Sequence, residues 1–283
     1  MKKIFLAFIL LALPLTAFAA DKLETAYERV TRTNTLRCGY ISWPPYVEKD
    51  IKTGKMSGMN VDFVEAIGKD LNINIEWTEE VIPGQQVEAL KANKVDAMCG
   101  AEGPMYPNTV KFVQYSTPFV YLPFFFYVRI DDNRFDKDWR TINTPGVRIA
   151  IIDGDISGFI ATAHFPNAKR TNMPPLGAAG QMMIDVANNK ADVVINDALS
   201  MTEYFKNNPG KLKQVKMDEP VAVLSNTFSV LRGSQGNDLV NLLNQSIEMM
   251  RGYGKDKKIL APYMADVPGG LYLVEHPWRV TQQ

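Results

Sequence analysis

LKANKVDAMCGA at residues 90–101 and VANNKADVVIND at residues 186–197 are one phrase written twice. Each copy is the tail of an apolar-periodic segment, then an Asn-Lys turn (Asn93-Lys94, Asn189-Lys190), then an aspartate (Asp96, Asp192) that opens a short apolar run of strand character. Upstream of each copy stands a second matched pair, TLRCGY at 35–40 and GVRIAI at 146–151, both apolar with an arginine in third place and both leading into a loop rich in Pro, Gly or Asp. Two helix-turn-strand units with two matching first strands predict two α/β lobes of one design, with any ligand handled between them.

Working outward, residues 21–34 read as a helical lead-in and Leu36 to Tyr40 as the first strand. GMNVDFVEAIGKDLN (58–72) carries Val64, Ile67 and Leu71 at helical spacing, and INIEW (73–77) reads as the next strand. With the first copy of the phrase this is β-α-β-α-β, the signature of a parallel sheet faced by helices. From Tyr115 to Tyr127 the chain is aromatic and broken by Pro118 and Pro123, and DDNRFDKDWR (131–140) is charged; this is expected to be the crossing into the second lobe. That lobe repeats the alternation through VRIAIID, a helix from about Ser157, a connection holding Pro174 and Pro175, a helix over Gln181 to Ala187, and ADVVIND. FSVLRG then leads back as a strand, and Leu239, Leu242, Leu243, Ile247 and Met250 stripe one long helix. The expected division is a signal at 1–19, a discontinuous lobe 1 at 20–122 and 226–283, and lobe 2 at 123–225. Two connecting segments make a hinge.

The first residues bound the compartment. Lys2 and Lys3, the apolar run Ile4 to Leu13 and the A-x-A site Ala17-Phe18-Ala19 have the order of a secretory signal. The apolar core is shorter than the roughly 20 residues needed to span a bilayer of about 30 Å, so an exported, periplasmic protein is expected. Lys and Arg number 31 against 31 Asp and Glu, a balance that argues against nucleic acid, which requires clustered positive charge. Cys38 lies in the first strand phrase and Cys99 in the helix-turn-strand phrase of the same lobe. On neighbouring strands about 4.8 Å apart they can be bridged, and an oxidising compartment favours the bridge; two buried free thiols are the alternative.

Ligands of open parallel sheets bind beyond the carboxyl ends of the strands, which selects Tyr40 to Tyr46, Gly100 to Glu102, Asp153 to Ser157 and Asn196-Asp197. YISWPPY offers Trp43 as a flat face stiffened by two prolines, although an aromatic beside proline is often simply packed. DGDISG sets Gly154 in a turn ahead of a helix whose free amides can hold an acceptor; the plainer alternative makes Asp155 that helix's N-cap, with Ser157 in its first turn. Asp197 ends an apolar strand and is expected at the cleft mouth, where a carboxylate accepts from an ammonium or amide, against the alternative of a cap for ALSMTEYF. No histidine stands beside a nucleophile. His164 and His276, with two cysteines, make no metal set, and no cofactor is expected.

The ordered phrases TLRCGYISWPPY, GKMSGMNVDFVEAIGKDLN, VEALKANKVDAM, FVQYSTPF, VRIAIIDGD and ADVVIND resemble the family 3 extracellular solute-binding proteins of ABC importers over essentially the whole mature chain. The resemblance implies a type II periplasmic-binding-protein fold. Its two Rossmann-like lobes close over a small ligand, commonly an amino acid, and deliver it to an ABC permease in the inner membrane; a monomer is expected. It puts the family's loop aromatic on Trp43, the second-lobe turn glycine on Gly154 and the amine-binding aspartate on Asp197.

The departures from that pattern bear on the ligand. The arginine that usually clamps a ligand α-carboxylate, six residues before the aromatic Tyr115, is Thr109, and neither Pro107 nor Asn108 supplies a charge. Gly100, Ala101 and Glu102 replace the usual hydroxyl residues, and Asp155 the usual threonine. The expectation is a small polar solute that is cationic or amine-bearing, without a clamped carboxylate, held by Asp197, Glu102 and a Trp43 cation-π face. Should Glu102 instead be solvated or paired with a lysine, a neutral ligand fits equally. Two rival functions stay open: a dehydratase-like enzyme on the same fold with Glu102 as general acid, and a sensing module for a membrane receptor. Binding rather than catalysis is expected.

Overall fold

The computed structural model describes residues 23–104, 109–174, 180–265, 267 and 272–273. The signal segment, Pro107, Asn108, Pro175 and His276 lie outside them. Helix α1 (Ala26–Thr33) opens on a capping box in which Thr25 and Glu28 satisfy each other's backbone N–H groups. Strand β1 (Thr35–Tyr40), the hairpin β2 (Glu48–Lys49) and β3 (Met56–Ser57), helix α2 (Met59–Leu71), strand β4 (Asn74–Glu80), helix α3 (Gln86–Lys91) and strand β5 (Ala97–Glu102) follow. β1 pairs in parallel with both β4 and β5. Short β6 (Val113–Tyr115) precedes β7 (Val120–Arg129).

The second half repeats the design. It runs β8 (Arg148–Ile152), α4 (Ile156–His164), β9 (Lys169–Met173), α5 (Gly180–Ala187), β10 (Val193–Asp197), α6 (Ala198–Asn207), β11 (Leu212–Gln214) and β12 (Ala222–Leu231). Helices α7 (Asn237–Gly252) and α8 (Lys255–Met264) and strand β13 (Tyr272–Leu273) complete it. The sheet order is β4-β1-β5-β12-β7-β10-β8-β9. Its left half, β4-β1-β5 closed by antiparallel β12, is matched by its right half, β9-β8-β10 closed by antiparallel β7. β6 adds to β12 as β11 adds to β7.

The aromatic stretch expected as a crossing is itself strand: β7 buries Leu122, Phe124, Phe125, Phe126, Tyr127 and Val128. Pro123 is accommodated within it, opposite Val223 of β12. β12 begins before FSVLRG, pairing with β7 through Ala222 to Asn226 and with β5 and β6 from Thr227 onward. The charged loop is likewise structured, ending in a 3-10 turn at Trp139–Ile142.

The cores follow the sequence periodicities. α2 buries Val61, Val64 and Ile67, and its Phe63 stacks on Phe119 with ring centroids 4.3 Å apart. α7 buries Leu239, Leu243, Ile247 and Met250, with Leu242 half-buried. Every residue of β10 is buried, as a strand covered on both faces requires; each such Val or Ile contributes about 1.5–3 kcal/mol.

The doubled phrase has a physical reason. Asp96 Oδ2 accepts the Arg37 backbone N–H at 2.7 Å, and Asp192 Oδ2 accepts the Arg148 backbone N–H at 2.9 Å. Each arginine's side chain returns to the same aspartate and also donates to the turn asparagine, Arg37 to Asn93 Oδ1 at 2.7 Å and Arg148 to Asn189 Oδ1 at 3.1 Å. Both asparagines have positive φ, 54° and 58°, a conformation Asn tolerates better than most residues. The helix-to-strand turn, the strand's first residue and the neighbouring strand's arginine are thus one unit. Arg29 completes it in the first half, and Arg129 and Arg134 in the second. The arginine hydrogen bonds hold the Asp192 carboxyl well below the usual carboxylate range against the opposing effect of burial.

Cys38 and Cys99 are disulfide-bonded, with Cα atoms 5.4 Å apart on adjacent β1 and β5. None of the described helices is long and apolar enough to cross a membrane.

Candidate functional site

The loop after β1 is rigidly made. Trp43 and Val47 form an antiparallel bridge, with Trp43 N–H donating to Val47 O at 2.9 Å and Val47 N–H returning to Trp43 O at 3.1 Å. The free amides at the start of α2 hold its far side: Met59 N–H donates to Pro45 O and Asn60 N–H to Tyr46 O, both at 3.0 Å. Gly58 makes that approach possible, because a Cβ there would lie 2.4 Å from Tyr46 O and its φ is 120°.

From this loop two side chains reach the first turn of α6. Trp43 Nε1–H donates to Ser200 Oγ at 3.2 Å. The Tyr46 hydroxyl donates to Asp197 Oδ1 at 2.5 Å, and the same oxygen accepts the Ser200 backbone N–H at 2.8 Å. Asp197 therefore does cap α6, and it simultaneously receives a donor from the other half of the molecule. Burial raises the Asp197 pKa, opposed by the Ser200 and Tyr46 hydrogen bonds. The Tyr46 phenol is pushed well above its usual value by burial and then by the Asp197 charge.

Asp155 is the N-cap of α4, accepting Ser157 N–H at 2.9 Å and Ser157 Oγ–H at 2.7 Å. Its pKa is raised, chiefly by burial and with a smaller contribution from Asp197. Gly154 holds the turn before it at φ 77°.

Beside this contact lies a cavity of 780 Å3 between the two halves, a size suited to a small solute. Its wall on one side carries Ile41, Ser42, Trp43, Pro44 and Glu80; on the other side Met183, Asn196, Ser200, Glu203, Tyr204 and Asn207. Among the described residues the wall has two carboxylates, several neutral hydrogen-bonding groups, and no lysine or arginine. Tyr40 lies behind it, its hydroxyl 3.4 Å from Glu80 Oε2, and burial with the Glu80 charge pushes the phenol up to about 12.

Of the residues expected from the sequence, Trp43 is in the cavity wall and Asp197 lies between wall residues Asn196 and Ser200. Glu102 is elsewhere. It is 1% exposed and accepts a hydrogen bond from Ser229 Oγ at 3.2 Å. It is neither solvated nor paired with a lysine, and burial pushes its pKa up to about 8, with the Gln86 and Ser229 side chains pulling the other way. Gly100 packs so closely that a Cβ would meet Val47 Cγ2 at 2.5 Å, and Ala101 continues β5. Thr109, where a clamping arginine would stand, is buried with its hydroxyl 2.8 Å from Tyr115 Oη. His164 is exposed in the last turn of α4, and no group of three His, Cys, Asp or Glu among the described residues is placed to hold a metal. Glu80, Glu203, Asn207 and the reach of Tyr46 are not among the sequence expectations, because no local pattern marks them as facing a cavity.

Known proteins similar to this chain in sequence or in fold are described as binding proteins. The chain is 25% identical over 240 residues to a probable amino-acid ABC transporter-binding protein of Haemophilus influenzae, covering 82% of this chain and 85% of that protein. It is 24% identical to an L-arginine-binding protein of Pseudomonas aeruginosa, covering 95% and 99%. Its fold matches an ancestral amino acid-binding protein, described as a precursor of cyclohexadienyl dehydratase, with a TM-score of 0.73, 22% identity, and coverage of 84% and 99%. Residues 36–266 match the model of the bacterial extracellular solute-binding proteins, family 3, and the chain belongs to that family.

Proposed function

We propose that this protein captures a small, amine-bearing, amino-acid-like solute in the cleft and delivers it from the periplasm to an ABC permease of the inner membrane. The observation that carries the reading is the cavity wall: Trp43 shares it with Glu80 and Glu203 and with neutral amides and hydroxyls, and no described basic side chain is present to receive a ligand carboxylate. A cation over the Trp43 ring gains about 0.5–2 kcal/mol, and carboxylates on either side favour the same charge. A relative that binds L-arginine is consistent with positive charge in the ligand.

In this reading residues 1–19 are a cleaved signal, lobe 1 comprises 20–122 and 226–283, and lobe 2 comprises 123–225. The change of partner along β12 near Asn226 supports the second boundary. The protein works as a monomer and without catalysis. Asp197, Asp155 and Ser157 form the buried shell behind the wall, and Trp43 is the ligand's platform. Glu102, the general acid of a catalytic alternative, is hydrogen-bonded to Ser229 of β12 and is not among the wall residues.

Calorimetric titration with lysine, arginine and 1,5-diaminopentane tests this. Heat from the amines is expected, with 1,5-diaminopentane binding at least as tightly as lysine and Trp43→Ala weakening it about tenfold. Binding of acidic or neutral amino acids alone would sink the amine reading. Recovery of a chemically altered solute would sink the non-catalytic one.

A further inference from the structure

The cavity stops short of a buried carboxylate, Asp197. Trp43 and Pro44 are in its wall and Tyr46 is not; Asn196 and Ser200 are in its wall and Asp197, between them, is not. The two excluded residues are bonded to each other, Tyr46 hydroxyl to Asp197 Oδ1, and each is only 2% exposed. Asp197 is the kind of group a ligand ammonium would seek, and the protein meets its need for a donor with a phenol of its own.

We propose that Tyr46 is a specificity-determining residue, a stopper that occupies the Asp197 carboxylate and keeps a ligand's ammonium group on the Trp43, Glu80 and Glu203 side of the cleft. Three features fit Tyr46 to that task. Its loop is closed by the Trp43–Val47 bridge, and its carbonyl is held by the Asn60 N–H at the start of α2, so the ring has little freedom to swing away. Its hydroxyl meets the same Asp197 oxygen that accepts the Ser200 N–H, so the acceptor is held in place by a helix terminus. Its neighbour Trp43 makes a second bond to the same helix turn, fixing the depth to which the loop enters. Tyr46 acts through Asp197, and removal of its hydroxyl leaves a buried acceptor that a ligand amine can satisfy instead.

The inference rests on the amine reading above, and the experiment separates the two. Wild type, Tyr46→Phe and the double variant Tyr46→Phe with Asp197→Asn are titrated with 1,5-diaminopentane and with lysine, after circular dichroism and thermal melts verify folding. Tyr46→Phe is expected to bind the diamine at least tenfold more tightly than wild type, and the double variant to lose that gain. A merely structural role for Tyr46 would give weaker binding in both variants. Heat from wild type with no gain in Tyr46→Phe, or a gain that survives Asp197→Asn, overturns the stopper and leaves the amine reading standing. Absence of heat from all three proteins with both probes removes the amine reading and the stopper with it.

Discussion

At one end the two copies of the helix-turn-strand phrase are nearly interchangeable; at the other they share almost nothing. Asp96 and Asp192 bind the same backbone N–H, the same arginine and the same asparagine turn. At the opposite ends of these strands Glu102 is buried against the Ser229 hydroxyl and the Gln86 side chain, whereas Asp197 is met by a helix amide and by a phenol from the other half. A fold built twice keeps its assembly joints constant and varies the ends that face the cleft, since the joints position the sheet and the ends meet the ligand.

The sharpest break in the comparison is covalent, for the first half carries the disulfide and the second holds no cysteine. Its closure of a 61-residue separation contributes about 4 kcal/mol in the loop-entropy account. Reduction, or replacement of both Cys38 and Cys99 by alanine, is expected to lower the melting temperature. Hydrogen exchange should then show added opening in β1 and β5 rather than in β8 and β10. Equal loss of protection in both sets of strands would contradict that asymmetry.

The next largest effect belongs to Glu102. Folded, it holds its proton to about pH 8, and unfolded to about 4.5. Between these values the folded state binds the additional proton, so the stabilisation is complete below pH 4.5 and is lost as pH rises towards 8. Glu102→Gln should be close to wild type at pH 5 and clearly more stable than wild type above pH 8, measured by urea unfolding across that range. A pH-independent difference would mean that Glu102 is ionised in the folded chain.

Equivalence at the conserved joint is tested by Asp96→Asn and Asp192→Asn. Each should cost about 2 kcal/mol, allowing for partly exposed arginine partners, and the two values should agree within about 1 kcal/mol. A large cost at one site alone would deny the joints a common role. Smallest is Asp155→Ala, about 1 kcal/mol for a lost N-cap. The corresponding helix of the first half, α2, has no side-chain cap and uses the carbonyls of Pro45 and Tyr46 instead, so Met59→Ala should leave those amide bonds intact and tell only of packing.

The architecture was legible because its signals are local. The arginine in third place and the aspartate after Asn-Lys are each visible in a few residues, and the structure joins them. Trp43 was legible for the same reason, as a flat ring in a proline-stiffened loop. Glu80 and Glu203 were not, since one ends a strand that alternates like any edge strand and the other lies on an ordinary helix face; only the approach of the two halves turns them towards one cavity. Tyr46 ends the phrase YISWPPY, but its partner lies 151 residues away, beyond any sequence period. Glu102 stands out in the sequence by its charge, but its burial beside β12, which no local pattern announces, keeps it out of the wall.

β7 and β12 have a mechanical consequence. They are hydrogen-bonded to each other from Val120 to Phe124 and from Ala222 to Asn226, so the two spans between the halves cannot slide past one another as independent tethers. Rotation of one half against the other has to be absorbed as twist in a single two-stranded ribbon, the deformation such a ribbon accommodates most readily. Any such turning loads the connection in torsion, along the twist the paired strands already carry, rather than in shear.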